Sequence, residues 1–256
     1  MKKMMKLFVL PLLLIGVHAG QVSVAAPSTV QFSADTYQKG QNGQESRGKI
    51  YVGDGMMRTE MQQSGQQVIQ IMDTKRQAAW VLYPAHRSYM EMSGGSVPAN
   101  QSSGAAANPC QGLAGAQCRK LGQESVSGRA ATKWEVNLTQ QGKSYQSYQW
   151  LDNERGLVLR QESSGGRSEL KLLGMEKLEG RTVEKWEMNF SQGKQPAQRS
   201  YRWFDPELNL AVREEFPGGF VREMKNIRVA PQDPSLFTLP AGYKKITPQQ
   251  GRPARR

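Results

Sequence analysis

Lys133-Trp134-Glu135-Val136-Asn137-Leu138 returns as Lys185-Trp186-Glu187-Met188-Asn189-Phe190, and Ser147-Tyr148-Gln149-Trp150-Leu151-Asp152 returns as Ser200-Tyr201-Arg202-Trp203-Phe204-Asp205. Leu121-Gly122 and Gly128-Arg129 likewise match Leu173-Gly174 and Gly180-Arg181. Glu154, Leu157 and Arg160 match Glu207, Leu210 and Arg213. The spacing between copies changes by one residue around Gln141-Gly142 and Gln192-Gly193, which read as a turn between strands. The chain is therefore duplicated over 120–171 and 172–224. Within each copy the large apolar residues alternate. Trp134, Val136 and Leu138 fall on one side, as do Tyr148 with Trp150 and Leu157 with Leu159; the second copy repeats this with Trp186, Met188 and Phe190, then Tyr201 with Trp203, then Leu210 with Val212. A period of two is that of a strand with one covered face. Two copies are too few for a solenoid, so they read as successive parts of one curved sheet.

Upstream, 48–52, 56–61, 68–72, 78–83 and 88–92 read as short strands separated by Gly, Asp, Ser and Pro turns. Connections this short join antiparallel neighbours. Residues 93–119 lack strand character and read as a long loop with a short helical turn near the cysteines. A further strand covers 219–229. Cys110 and Cys118 form an even pair close in sequence, which in an oxidising compartment predicts one disulfide. Two thiolates do not complete a zinc site and His86 is the one histidine after the leader, so no metal and no cofactor is expected.

The first 26 residues read as a cleavable secretory signal: Lys2, Lys3 and Lys6 precede an apolar run over 7–17, too short to span a bilayer comfortably, and small residues follow. Export to the periplasm follows from this reading. The net charge of +12 falls to +9 without those three lysines, and residues 246–256 form a basic tail. No other segment suits a transmembrane helix, and an exported chain does not meet nucleic acid. The charge reads as a solvated surface or as a preference for anionic lipid surfaces.

Met57, Met61, Met72, Met90 and Met92 crowd the upstream strands. Thioethers are flexible and polarisable, which suits an adaptable apolar lining; they also suit ordinary core and, as soft ligands, Cu(I). Trp80, Trp134, Trp150, Trp186 and Trp203 suit either the lining of a concave face or a packed core. Asp152/Glu154 and Asp205/Glu207 are spaced like an acid–base pair, but turn chemistry accounts for them. His86 follows Pro84-Ala85 in a turn with no nucleophile motif beside it, and no glycine-rich piece carries the Lys and Ser or Thr of a phosphate loop. No catalytic residue is assigned.

Trp150-Leu151-Asp152 followed by Gly156-Leu157 and Leu159-Arg160, with Gly128-Arg129 upstream, resembles the periplasmic lipoprotein-sorting carrier and receptor (LolA/LolB-like) superfamily. Asp233-Pro234-Ser235-Leu236-Phe237-Thr238-Leu239-Pro240-Ala241-Gly242-Tyr243 resembles the terminal signature of an uncharacterised periplasmic family related to it, as do Gly48-Lys49-Ile50-Tyr51-Val52 and Trp80-Val81-Leu82-Tyr83-Pro84 for its opening strands. The resemblance implies an incomplete antiparallel barrel whose concave side takes acyl chains, and no catalytic residues. The chain lacks the Cys that anchors the receptor, and the duplication is absent from the simplest carriers. The expectation is an all-β domain over 27–245: a curved antiparallel sheet with a loop or short helix over its concave side. Its function would be binding of a lipid, lipidated or other apolar ligand. The alternatives are an envelope interaction or sensor protein that holds a partner by strand addition, and methionine-based copper handling.

Overall fold

Strands this short, with turns this tight, pair with their sequence neighbours, and the computed structural model shows that rule carried through almost the whole chain. It describes residues 30–63, 65–76, 78–93, 108–110, 115–140 and 142–247. The leader reading over 1–26, most of the loop within 93–119 and most of the basic tail lie outside the described residues.

The strands are β1 (Phe32–Lys39), β2 (Glu45–Val52), β3 (Met56–Gln63), β4 (Gln66–Asp73), β5 (Ala78–Tyr83), β6 (Ser88–Ser93), β7 (Ala116–Val126), β8 (Arg129–Gln140), β9 (Lys143–Asp152), β10 (Val158–Ser163), β11 (Gly166–Leu178), β12 (Arg181–Ser191), β13 (Gln198–Asp205), β14 (Leu210–Glu215), β15 (Val221–Val229) and β16 (Lys244–Lys245). They form one sheet, in the order β16-β6-β5-β4-β3-β2-β1-β15-β14-β13-β12-β11-β10-β9-β8-β7. Two antiparallel meanders, β1–β6 and β7–β15, meet where β15 pairs with β1. The exception to antiparallel pairing is β16, which lies parallel to β6. The sheet is open and curved, as expected. Helical structure among the described residues is limited to three single 3-10 turns, and 116–119 belong to β7 rather than to the expected loop. The alternation in 116–119 is short and polar, which hid the strand. β1 also went unread, because only Phe32 and Ala34 alternate clearly before Thr36 and Gln38.

The two matching sequence segments have the same turn geometry. Ser127-Gly128 and Glu179-Gly180 both sit in left-handed conformations, φ 49° and 81°, then 49° and 82°. These are primed two-residue turns, whose twist matches that of a hairpin. Gly122 and Gly174 (φ 155° and 150°) each sit at a bulge five residues before. Bulges bend the strand and tighten its twist. The resulting curl is strong. The Arg129 guanidinium on β8 lies 5.9 Å from the Trp186 ring centroid on β12, four strands away, a separation of ~19 Å in a flat sheet. Ser127 Oγ donates to Glu169 on β11 at 3.0 Å.

Burial is divided among three clusters rather than one core. Val126, Ala131, Trp150, Leu159, Leu170 and Trp186 fill the first curl. Phe32, Ala34, Ile50, Val183, Trp203, Leu208 and Val212 fill the second, where β12–β14 fold back over β1 and β2. Ile69, Ile71 and Leu82 form the third beneath Phe237 of the C-terminal segment.

Candidate functional site

The register of β1–β6 sorts its side chains by charge. Across one face run Phe32, Val52, Met57, Met72, Ala79 and Met92 in one row, then Ala34, Ile50, Thr59, Gln70, Val81 and Met90 in the next. Thr36, Gly48, Met61 and Val68 make a third. Every Asp, Glu, Lys and Arg of these six strands points the other way: Asp35, Lys39, Glu45, Arg47, Lys49, Arg58, Glu60, Asp73 and Glu91. A charge on the uncharged face would have to be desolvated wherever the sheet curls over it.

The curl turns the uncharged face inward. Between it and strands β14 and β15 lies a cavity of about 360 Å³, whose apolar wall includes Ile50, Met57, Met61, Met72, Val212 and Met224. The Thr59 hydroxyl in the same wall is buried without a hydrogen-bond partner. Charged residues border the cavity as well: Arg47 and Glu60 from the other face of β2 and β3, and Arg213, Glu214, Arg222 and Glu223 from β14 and β15. Glu214 accepts hydrogen bonds from Arg202 Nε at 3.1 Å and from Arg222. A second depression of about 680 Å³ adjoins the cavity, sharing Tyr37, Arg47, Glu60 and Met61 with it and lined also by Lys49 and Lys225.

Met57, Met61 and Met72 are thus brought together at the cavity, and Met90 and Met92 continue the same face. Met57 and Met72 are direct cross-strand partners. Met61 lies four residues farther along β3, ~13 Å away, so the thioethers do not converge on one point. Trp80 lies on the opposite face, against Ile71 and the C-terminal Leu236 and Phe237. The other tryptophans divide between faces. Trp150 and Trp203 each sit in a cross-strand row of identical chemistry, Lys133-Trp150-Arg160-Glu169 and Lys185-Trp203-Arg213-Glu223. Each ring is sandwiched between two cations: Lys133 and Arg160 at 4.6 and 5.3 Å, Lys185 and Arg213 at 4.9 and 5.3 Å. Each indole N–H donates to a carboxylate, Glu124 at 2.6 Å and Glu176 at 2.7 Å. Those bonds, with the partner lysines, hold both carboxyls below the ordinary glutamate range. Trp134 and Trp186 occupy the opposite face of the ladder from Trp150 and Trp203. Trp186 is buried and donates to Glu184 at 3.0 Å, while Trp134 is half-buried.

The acid pairs are turn devices. Asp152 accepts from the backbone N–H of Glu154 and Arg155 and from Arg129 Nε, and Arg129 also donates to Glu154. Asp205 repeats this with Glu207, Leu208 and Arg181. Burial opposes the charge of Asp152, but the Arg129 bond and the turn N–H groups hold its carboxyl below the ordinary aspartate value. Cys110 and Cys118 are joined, as expected.

Sequence reasoning missed Val212, Glu214, Arg222 and Met224. They reach the cavity through the pairing of β15 with β1, a contact between residues nearly two hundred positions apart that no local pattern announces.

No family model matches the sequence, and no curated protein matches it. Solved structures do. A LolA superfamily protein from Nitrosomonas europaea is 12% identical, with 84% of this chain and 93% of that chain covered, at a TM-score of 0.38. A DUF1329 family protein from Desulfovibrio piger is 14% identical, covering 83% and 91% at a TM-score of 0.37. A putative outer membrane lipoprotein-sorting protein domain from Vibrio parahaemolyticus is 12% identical, covering 81% and 88% at a TM-score of 0.31. Among the described residues no helix is long and apolar enough to cross a membrane.

Proposed function

We propose that this chain is a non-catalytic, exported binding protein that takes an apolar or amphiphilic ligand, a lipid or a lipidated partner, against its uncharged methionine face. The observation that carries the reading is the segregation of every charge of β1–β6 to the other side, beside a cavity walled by Met57, Met61, Met72 and Met224. The driving force is burial of ligand methylenes, ~0.8 kcal/mol each. Methionine side chains adjust to different chain shapes at little cost. The ligand site consists of Met57, Met61 and Met72, extended by Met90 and Met92. The test uses the fluorescent apolar probe N-phenyl-1-naphthylamine. Wild type is expected to bind it, and Met72→Glu to weaken binding at least tenfold. Met175→Glu, at an exposed methionine of β11, is expected to leave it unchanged. Absence of uptake by wild type, or equal uptake by Met72→Glu, overturns the reading.

Strand addition is a second reading. β7 ends the sheet with one side unpaired among the described residues, and its eleven residues offer a long edge. The bulge at Gly122 twists that edge, which shortens the stretch a partner strand could follow.

A further inference from the structure

We infer that the sheet rim bearing the turns 40–44, 84–87, 192–197 and 216–220 docks on an anionic lipid bilayer, so that an apolar ligand passes directly between bilayer and cavity; this rests on the apolar-ligand reading above. In an antiparallel meander successive turns fall at alternate ends of the sheet, and here the two ends differ in charge. At one rim, turns 53–55, 153–157, 179–180, 206–209 and 230–233 carry Asp54, Glu154, Glu179, Glu207 and Asp233. The cations in the turns of that rim are paired, Lys75 with Asp54, Arg76 with Asp73 and Arg155 with Glu184. At the other rim, the described turn residues 40–44, 65, 84–87, 142, 164–165, 192–197 and 216–220 contain no acid, and their charges are Arg87 and Lys194. Turn chemistry does not force this sorting. Asn42 accepts from the Gln44 N–H at 3.1 Å at the acid-free rim, just as Asp73 accepts from the Lys75 N–H at 2.9 Å at the acidic one.

Strand ends at the acid-free rim add Lys39, Lys143 and Arg199, all exposed. Lys39, Arg87, Lys143 and Lys194 take part in no ion pair among the described residues. The acids at the same ends of β2 and β14 are already engaged: Glu45 accepts from the Tyr37 hydroxyl at 2.6 Å, and Glu215 binds Arg213 at 2.5 Å. Lys39 is the cross-strand partner of Val221, beside turn 216–220, and the Gln41 side chain donates to the Pro217 carbonyl at 3.1 Å. Turns 40–44 and 216–220 therefore form one surface at the end of the strands that wall the cavity. Exposure on the uncharged face rises toward this rim. Phe32, Ala34 and Ile50 are 0%, 5% and 4% exposed, whereas Met61, one row nearer the rim than Ile50, is 39% exposed. An anionic bilayer answers both features. Its phosphates match the unpaired cations, and its interior supplies apolar chains that would otherwise have to cross water. An acidic polypeptide would match the charge but bring no apolar ligand to the cavity. Each basic side chain close to an anionic surface strengthens binding about fivefold.

The experiment is flotation of the full folded chain with vesicles of phosphatidylglycerol and phosphatidylethanolamine, or of phosphatidylcholine alone. Wild type is expected to float with the anionic vesicles, not with the zwitterionic ones, and to be released at high salt. The triple variant Lys39→Glu, Lys194→Glu, Arg199→Glu is expected to bind vesicles at least ~20-fold more weakly. It should keep wild-type uptake of N-phenyl-1-naphthylamine, which shows that it is folded. Lys75→Glu, Lys177→Glu, Arg228→Glu makes the same change of net charge at exposed positions of the acidic rim and is expected to float as wild type does. Equal flotation with zwitterionic vesicles, flotation untouched by the first triple variant, or equal loss in both variants overturns the docking surface. Retention on immobilised polyglutamate without flotation assigns the rim to an acidic polypeptide and overturns it too. If the probe binds and the vesicles do not, the docking inference fails and the apolar-ligand reading stands. If the vesicles bind and the probe does not, the ligand reading fails and takes the proposed transfer with it.

Discussion

At the scale of single residues, buried Asp152 holds a turn and an arginine together. It is 1% exposed, caps the turn after β9 through two backbone N–H groups and anchors Arg129. Removing one partner of such a buried pair costs ~3–5 kcal/mol, because the other is left uncompensated. Asp152→Ala is therefore expected to lower unfolding free energy by about that amount, measured by urea denaturation at neutral pH. The pH dependence has a definite sign. The folded carboxyl titrates below its unfolded value, so its contribution is complete above the unfolded value and fades as pH falls through the folded one. Wild type and variant should therefore converge in stability as the pH drops below the ordinary aspartate range. A gap that stays constant into acid would show that the charge of Asp152 is not what stabilises the turn.

At the scale of elements, the recurring unit is a bulge, a primed turn and a Lys-Trp-Arg-Glu row. Trp150 and Trp203 belong to different buried clusters, yet their neighbours are the same residue types at nearly the same distances. A hydrogen bond to a charged acceptor contributes ~1.5–3 kcal/mol. Trp150→Phe and Trp203→Phe are each expected to cost about 2 kcal/mol plus a packing loss. Their effects should add in the double variant, since the two sites share no partner. A strongly sub-additive double variant, read by urea denaturation, would mean that the two tryptophan sites are energetically coupled. Alternation alone exposed β8, β9, β12 and β13 in the sequence because they carry large aromatic residues. β1, β7 and β11 escaped notice because their alternation is carried by small or polar side chains or, in β11, is broken at the Gly174 bulge.

At the scale of the molecule, the sheet curls enough to bring Arg129 on β8 against the Trp186 ring on β12, four strands away. Three separate buried clusters imply local rather than global opening. Phe237→Ala, which empties the centre of the third cluster, is expected to cost ~3–5 kcal/mol locally. Hydrogen exchange should then accelerate in β4–β6 and remain unchanged in β8–β9. Uniform acceleration along the chain would show one cooperative unit.

The sequence by itself marked β2–β6, β8–β10 and β12–β15, the antiparallel pairing of neighbours within each meander, the matching turns and the disulfide. All of these follow from alternation, turn chemistry or proximity over a few residues. It also marked Met57, Met61, Met72, Met90 and Met92, since residues of one parity on paired strands share a face. Tertiary structure alone decided which face is concave, that Trp80 lies on the other side beneath Phe237, and that Arg222, Glu214 and Met224 close the cavity. Those outcomes depend on β15 meeting β1 and on the C-terminal segment crossing β4–β6. Burial of apolar area drives both contacts, and that force has no direction along the chain, so no local pattern in the sequence encodes its outcome.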